Sequence, residues 1–232
     1  MNNTEIILQN PLRIIEDEDG NMLSANSFGA VLARAGIGKT ALLVQLALNT
    51  LLRKKNVLHI SLNDPVNKVT LWYEEVFTHL VNRLEAKEIA KIWESILPHR
   101  FIMTFNVDAF SVPKLEERLN DLVQQNIFFP DMIVLDGLNF DNPAAAILEE
   151  LKALAVKHTL TAWFSVRVHR HDIPGPSDMP PFFEQIMDLF EVIIRLKPAE
   201  KEVYVKILKG KTSGAAQPPL ILDPSTMLLI KK

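Results

Sequence analysis

Short apolar runs alternate with stretches of helical periodicity through the first two thirds of the chain. Residues 27–33, 56–62, 101–105, 132–136 and 160–168 have strand length and are largely apolar. Between them, residues 40–53, 66–96, 112–125 and 143–157 carry Leu, Ala, Glu and Lys at helical spacing. The 66–96 stretch has weak internal breaks and predicts two helices. The 112–125 helix opens at Ser111-Val112-Pro113, with proline in the first turn where no N–H is needed. Met132-Ile133-Val134-Leu135-Asp136 is apolar up to its acid, the pattern of a strand buried on both faces of a parallel sheet. Strands alternating with helices predict right-handed crossovers and a mostly parallel central sheet flanked by helices.

The pattern changes after residue 168. Residues 169–181 hold four prolines and a glycine and predict a loop. A short helix is expected at 182–187. Short strands are expected at 189–196, 202–208 and 220–222, forming an antiparallel extension over 189–232. Residues 1–26 mix apolar and acidic positions and predict a lead-in strand or turn. No linker, repeat or low-complexity segment interrupts residues 1–232, so a single α/β domain is expected.

The densest chemical signal lies between the first strand and the first helix. Residues 33–40 read Ala-Arg-Ala-Gly-Ile-Gly-Lys-Thr, a phosphate-binding loop of the form [AG]-x-x-x-x-G-K-[ST] in the required strand–loop–helix context. Backbone N–H groups of Ala35, Gly36, Ile37, Gly38, Lys39, Thr40 and Ala41 are expected to cradle phosphates at the helix N-terminus. Lys39 supplies a mobile cation, and Thr40 places a hydroxyl where Mg²⁺ binds. Asp136, at the C-terminal end of its apolar strand, is the matching Walker B carboxylate for the metal. ATP and Mg²⁺ are therefore the expected ligands.

Composition narrows the picture further. The chain has 232 residues, 48% of them hydrophobic, and balances 25 Lys+Arg against 28 Asp+Glu, so nothing global calls for nucleic acid or an anionic membrane. It lacks cysteine, which excludes disulfides and thiolate metal sites. No apolar run reaches the roughly 18 residues of a spanning helix, and the polar, acidic N-terminus has no signal-peptide pattern. A soluble, cytoplasmic protein is the expectation.

The two sharp motifs and the two strands between them resemble the RecA-like P-loop NTPases, and within these the KaiC-like ATPases. Residues 27–62 match that family's strand, loop, helix and second strand. Residues 101–137 match its third strand, helix and Walker B strand, and Val205-Lys-Ile-Leu-Lys-Gly-Lys-Thr-Ser-Gly214 is similar to its late basic strand. The resemblance implies a RecA fold, a homo-oligomer with ATP at a subunit boundary, and a cation reaching the neighbour's γ-phosphate. Lys209 and Lys211 are the candidates for that contact in trans. An exposed lysine-rich hairpin is the plainer reading of the same residues. The resemblance also implies a polar γ-phosphate sensor near the end of the fifth strand, for which Ser165 or Arg167 qualifies; a buried, hydrogen-bonded serine is the competing reading of Ser165.

The chain departs from the family at three places. Ala33 stands where the loop's first glycine is common, the 66–96 connection is long, and Asn63-Asp64 replaces a usual pair of glutamates at the end of the second strand. One family glutamate polarises the attacking water. Asn cannot accept that proton, and Asp is a methylene shorter, while a base must come within ~3 Å of its water. Asp64 is either a poorly placed base or the N-cap of the following helix. Glu74 and Glu75 fit a solvated helix face. His169-Arg170-His171-Asp172 offers two imidazoles without a third ligand, so a polar loop is the better reading. Nucleic-acid binding by residues 169–181 lacks support, since the loop is proline-rich and carries Asp172 and Asp178. The pattern thus predicts slow or regulatory ATP hydrolysis, with Lys39 and Asp64 in catalytic roles. A nucleotide-gated module that binds an unnamed protein without turnover is the alternative.

Overall fold

A computed structural model describes residues 5–7, 10–140, 144–169, 178–211 and 219–232. The strands are β1 (Phe28–Ala33), β2 (Val57–Ser61), β3 (Arg100–Thr104), β4 (Met132–Asp136), β5 (Thr161–Arg167), β6 (Phe190–Ala199), β7 (Glu202–Lys209), β8 (Leu220–Leu222) and β9 (Leu229–Lys231). The helices are α1 (Lys39–Leu52), α2 (Val66–Leu80), α3 (Ala86–Ile96), α4 (Val112–Gln124), α5 (Ala144–His158) and the single turn α6 (Pro181–Glu184). One sheet runs in the order β3-β2-β4-β5-β1-β6-β7-β8-β9.

The strands from β3 to β6 are mutually parallel, and β7 to β9 continue antiparallel. The antiparallel part therefore begins one strand later than the pattern predicts. After β5 the chain crosses back through α6 and a 3₁₀ turn at Met187–Leu189, so that β6 pairs with β1 in the same direction. On the other side of β1, β5 separates it from β4, an arrangement that puts the end of β5 between the loop motif and Asp136.

Each face of the sheet carries its own core. On one, α1 packs under α2 and against Val31, Val57, Val134, Trp163 and the C-terminal strands. Every residue of α1 from Ala41 to Leu52 is buried, which explains why its apolar positions go all round instead of forming a stripe. Its buried polar residues include, with Asn49 and Thr50, Gln45. The Gln45 side chain donates to Met227 O at 2.6 Å and accepts from Leu229 N at 2.8 Å, pinning β9 to α1. On the other face, α4, α5 and α6 cover Phe28, Leu58, Leu135, Phe164 and Phe190. The lead-in is neither strand nor simple turn: Pro11–Ile15 form a 3₁₀ helix capped by Asn10, which buries Leu12 and Ile15.

One polar pair is sealed into the first core. His59 on β2 and Tyr73 on α2 are both fully buried and share a hydrogen bond of 3.0 Å through His59 Nδ1. The Arg100 guanidinium lies 4.8 Å from the Tyr73 ring centre. Burial pulls the His59 pKa from 6.5 to about 4 and raises that of Tyr73; the Asp136 and Asp64 charges oppose the shift at His59, and Arg100 adds to it.

This shift has a definite sign in the folding equilibrium. As pH falls below 6.5 the unfolded chain protonates this histidine, and the folded chain does not until about pH 4. Stability should therefore drop across that window, by on the order of 3 kcal/mol in all, and level off below it. Urea unfolding between pH 7 and 4 should show a steeper loss in the unaltered chain than in His59→Gln. Equal slopes would contradict this account.

Candidate functional site

Every strand from β3 to β6 points its C-terminal end at one edge of the sheet, where open parallel sheets place their ligands. The loop 34–38 leaves β1 at this edge and turns sharply into α1. Gly36 and Gly38 make the turn with φ of +75° and +106°. Gly38 is also the N-cap of α1 and has no side chain to occupy the first-turn N–H groups. A Cβ on Gly38 would lie 2.5 Å from Leu222 Cδ2 of β8, whereas one on Gly36 would meet nothing within 4 Å. The loop is thus pressed against the sheet on one side and open on the other. The open side faces a cavity of about 400 Å³.

Lys39, Thr40, Asp64, Asp136, Ser165 and Arg167 all line this cavity. Thr40 Oγ1 donates to Asp136 Oδ2 at 2.7 Å. Lys39 folds back over the loop, and its Nζ donates to Ala33 O at 3.1 Å and Arg34 O at 3.0 Å. Burial lowers the Lys39 pKa; nearby Asp136 opposes that, and Arg167 adds to it. A hydroxyl and a carboxylate in direct contact are hard oxygen donors of the kind Mg²⁺ takes from protein while filling its other positions with water and phosphate. Among the described residues no group of three or more His, Asp or Glu is gathered that would hold a metal by itself. The donor set fits Mg²⁺ arriving with a nucleotide better than a resident metal.

The end of β2 is built differently from a simple cap. The N-cap of α2 is Pro65, and no side chain caps the helix. Asp64 is not the cap. Its N–H donates to Ser61 Oγ at 3.0 Å, and its Oδ1 accepts from Lys68 Nζ at 2.8 Å. The four-residue spacing of Asp64 and Lys68 in a helix-forming stretch was the sequence signal for that pair. Asn63 packs over Gly137, where a Cβ would come within 2.2 Å of Asn63 Nδ2. Gly137 has a φ of +98°, so this position needs glycine for its backbone as well as for space. The Asp136-Gly137 dipeptide is the only trace of this contact in the sequence.

Ser165 is buried in the middle of the arrangement, and its hydroxyl accepts from Gly137 N at 2.9 Å. It fixes the turn that follows Asp136. Glu74 and Glu75 are exposed on α2, as a solvated face requires. Of the His169–Asp172 run, residues 170–172 fall outside the described residues.

Lys209 and Lys211 lie elsewhere. Lys209 pairs with Ile193 on the strand beside β1, and its Nζ donates to Met187 O at 3.1 Å. Lys211 binds Asp17 at 3.3 Å. Both stand toward the N-terminal ends of the parallel strands, and neither lines the cavity.

No protein-family model matches the chain, and no curated protein matches it in sequence. Among solved structures it is similar to one described as an ATPase domain, with a TM-score of 0.64 and 15% identity over 89% of this chain and 85% of that one. The likeness shows the fold: an α/β, RecA-like ATPase-domain fold with a mostly parallel sheet and antiparallel C-terminal strands. Among the described residues no helix is long and apolar enough to cross a membrane.

The contact between Ser165 and Gly137 can be tested alone. Ser165→Ala leaves the Gly137 N–H without its acceptor, which should cost about 1–3 kcal/mol of unfolding free energy. Denaturant unfolding of the two proteins checks this, and an unchanged midpoint would show that Ser165 does not hold the turn.

Proposed function

We propose that this chain binds ATP with Mg²⁺ between residues 35–41 and Asp136 and hydrolyses it slowly, as a KaiC-like member of the RecA-fold ATPases. The observation that carries the reading is the direct contact of Thr40 with Asp136 beside Lys39. The KaiC-like assignment rests on the sequence resemblance.

In this reading the loop N–H groups and the α1 N-terminus hold the phosphates. Lys39 exchanges its two carbonyl partners for phosphate oxygens. Mg²⁺ would supply charge there to offset what develops on the transferred group. The Thr40 hydroxyl and the Asp136 carboxylate, which share a hydrogen bond, would hold the ion. Asp64 is the carboxylate nearest to a water-orienting role. One of its oxygens is held by Lys68, and Asn63 is committed to packing on Gly137. A single short, partly engaged carboxylate accounts for slow turnover, since a well-placed base contributes ~10²–10⁴-fold.

Calorimetry tests the binding step. Lys39→Ala should weaken ATP–Mg²⁺ binding by ~10-fold or more, through loss of a charge-assisted contact. Equal binding by the variant would make the loop structural. Asp64→Asn should lower single-turnover phosphate release while ATP binding persists. Release that is undetectable in the unaltered chain despite tight binding would favour the alternative, a nucleotide-gated module for a protein partner.

If Lys209 or Lys211 meets a nucleotide, the contact is in trans, within a homo-oligomer; a lysine-rich hairpin held by Met187 O and Asp17 is the alternative. Mixing Lys39→Ala with Lys211→Ala subunits should restore part of the activity that each lacks. A chain that stays monomeric with ATP–Mg²⁺ at all concentrations would contradict the assembly.

A further inference from the structure

The strand β8 runs in the same direction as β1. β6 is parallel to β1, β7 is antiparallel to β6, and β8 is antiparallel to β7. The last residue of β8, Leu222, therefore arrives at the same edge as the loop 34–38. Its side chain is 1% exposed and stands behind Gly38, the N-cap of α1. Among the described residues, both atoms within 4 Å of a Cβ built on Gly38 belong to Leu222, the nearer at 2.5 Å. At this residue the loop leans on one side chain.

β8 cannot hold that position by itself. β8 and β9 are three residues each and form the outer end of the sheet. A two-stranded ribbon of that length has little stability of its own. The register partner of Leu222 is Leu229 on β9. The Leu229 N–H is bonded to Gln45 Oε1 of α1, at 2.8 Å. The Gln45 amide nitrogen donates to Met227 O at 2.6 Å, so one side chain serves both main-chain groups, as a neighbouring strand would. Gln45 is 3% exposed, and its loss would leave a buried N–H and C=O unmatched. The turn it grips holds Met227 at a φ of +57°, a conformation that a non-glycine residue keeps only where its surroundings impose it.

These contacts close on themselves. α1 holds β9 through Gln45, β9 holds β8 at the Leu222–Leu229 pair, and β8 backs Gly38, from which α1 starts. We propose that Gln45 and Leu222 are positioning residues for the phosphate loop, and that docking of the β8–β9 hairpin is coupled through them to nucleotide binding. This rests on the reading of residues 35–41 as the phosphate cradle. Neither residue lines the cavity, so each acts only through Gly38 and the first turn of α1. Such coupling is reciprocal. A docked hairpin favours the loop shape that accepts phosphates, and bound ATP–Mg²⁺ favours the docked hairpin.

Hydrogen exchange at two amides reads both ends of this chain of contacts without turnover. The Leu42 N–H bonds to Gly38 O at 3.0 Å and reports the loop, and the Leu229 N–H reports the hairpin. Leu222→Ala leaves α1 and every cavity residue unchanged. Without nucleotide it should speed exchange at Leu42 by about tenfold relative to Leu48 in the middle of the same helix, and it should weaken ATP–Mg²⁺ binding by about tenfold. Leu222→Met should restore both. Gln45→Met should have the same two effects, and the double variant should be no worse than either single one, as for residues acting in series. In the unaltered chain ATP–Mg²⁺ should slow exchange at Leu229. Exchange at Leu42 and Leu48 rising together would make Leu222 an ordinary core residue and overturn the proposal. So would unmoved ATP affinity in folded Leu222→Ala and Gln45→Met, or exchange at Leu229 that ignores bound ATP. An unaltered chain that binds no ATP defeats the nucleotide reading and the coupling with it, while the ratio of Leu42 to Leu48 exchange still decides whether Gln45 and Leu222 set the loop.

Discussion

The 2.7 Å hydrogen bond between Thr40 and Asp136 joins residues 96 positions apart, and the rest of the cavity lining is arranged around it. Thr40 opens α1 just after β1, and Asp136 ends β4; these two strands are not neighbours, since β5 lies between them. The two residues meet because all three strands run the same way and end at the same edge. Parallel strands need long crossovers, and crossovers of this length are helices that must cover both sheet faces. From this follow the two cores, the complete burial of α1, and the apolar character of β4 up to its terminal acid.

The polar side chains of the same edge are engaged with one another and with the backbone. Lys39 spends its donors on Ala33 O and Arg34 O, and Thr40 spends its own on Asp136. Both sets of contacts are made by side-chain atoms. The surrounding turn is much less free. Asn63 lies on Gly137, Ser165 holds the Gly137 N–H, and Leu222 closes the space behind Gly38. Mobile cation and hydroxyl on a fixed frame is the physical basis for reading the site as one that binds phosphates in a preformed cradle.

Much of this was legible in the residue pattern. Strand-length apolar runs marked β1 to β5, and the loop at 33–40 and Asp136 marked two segments that the fold brings to one cavity, because both signals are local. What was not legible depends on topology or on side-chain choice. Nothing in residues 190–199 says that this strand joins β1 in parallel, since that direction is set by the crossover through α6. β9 is three residues long and is anchored by Gln45, 184 positions from Leu229. Asp64 read equally well as cap or base, and only the geometry shows Pro65 in the cap position and Lys68 on the carboxylate. Ser165 is a buried, hydrogen-bonded serine, but its acceptor role toward Gly137 could not be seen from an apolar strand alone.

The central claim is that Thr40 and Asp136 form the metal half of a nucleotide site. The most direct measurement is ATP affinity by calorimetry with and without Mg²⁺, in the unaltered chain and in Asp136→Asn. The account predicts that Mg²⁺ strengthens ATP binding in the unaltered chain and that Asp136→Asn, which keeps the shape but loses the charge, abolishes most of that gain. Binding that ignores Mg²⁺ in both proteins, or no ATP binding at all, would contradict it.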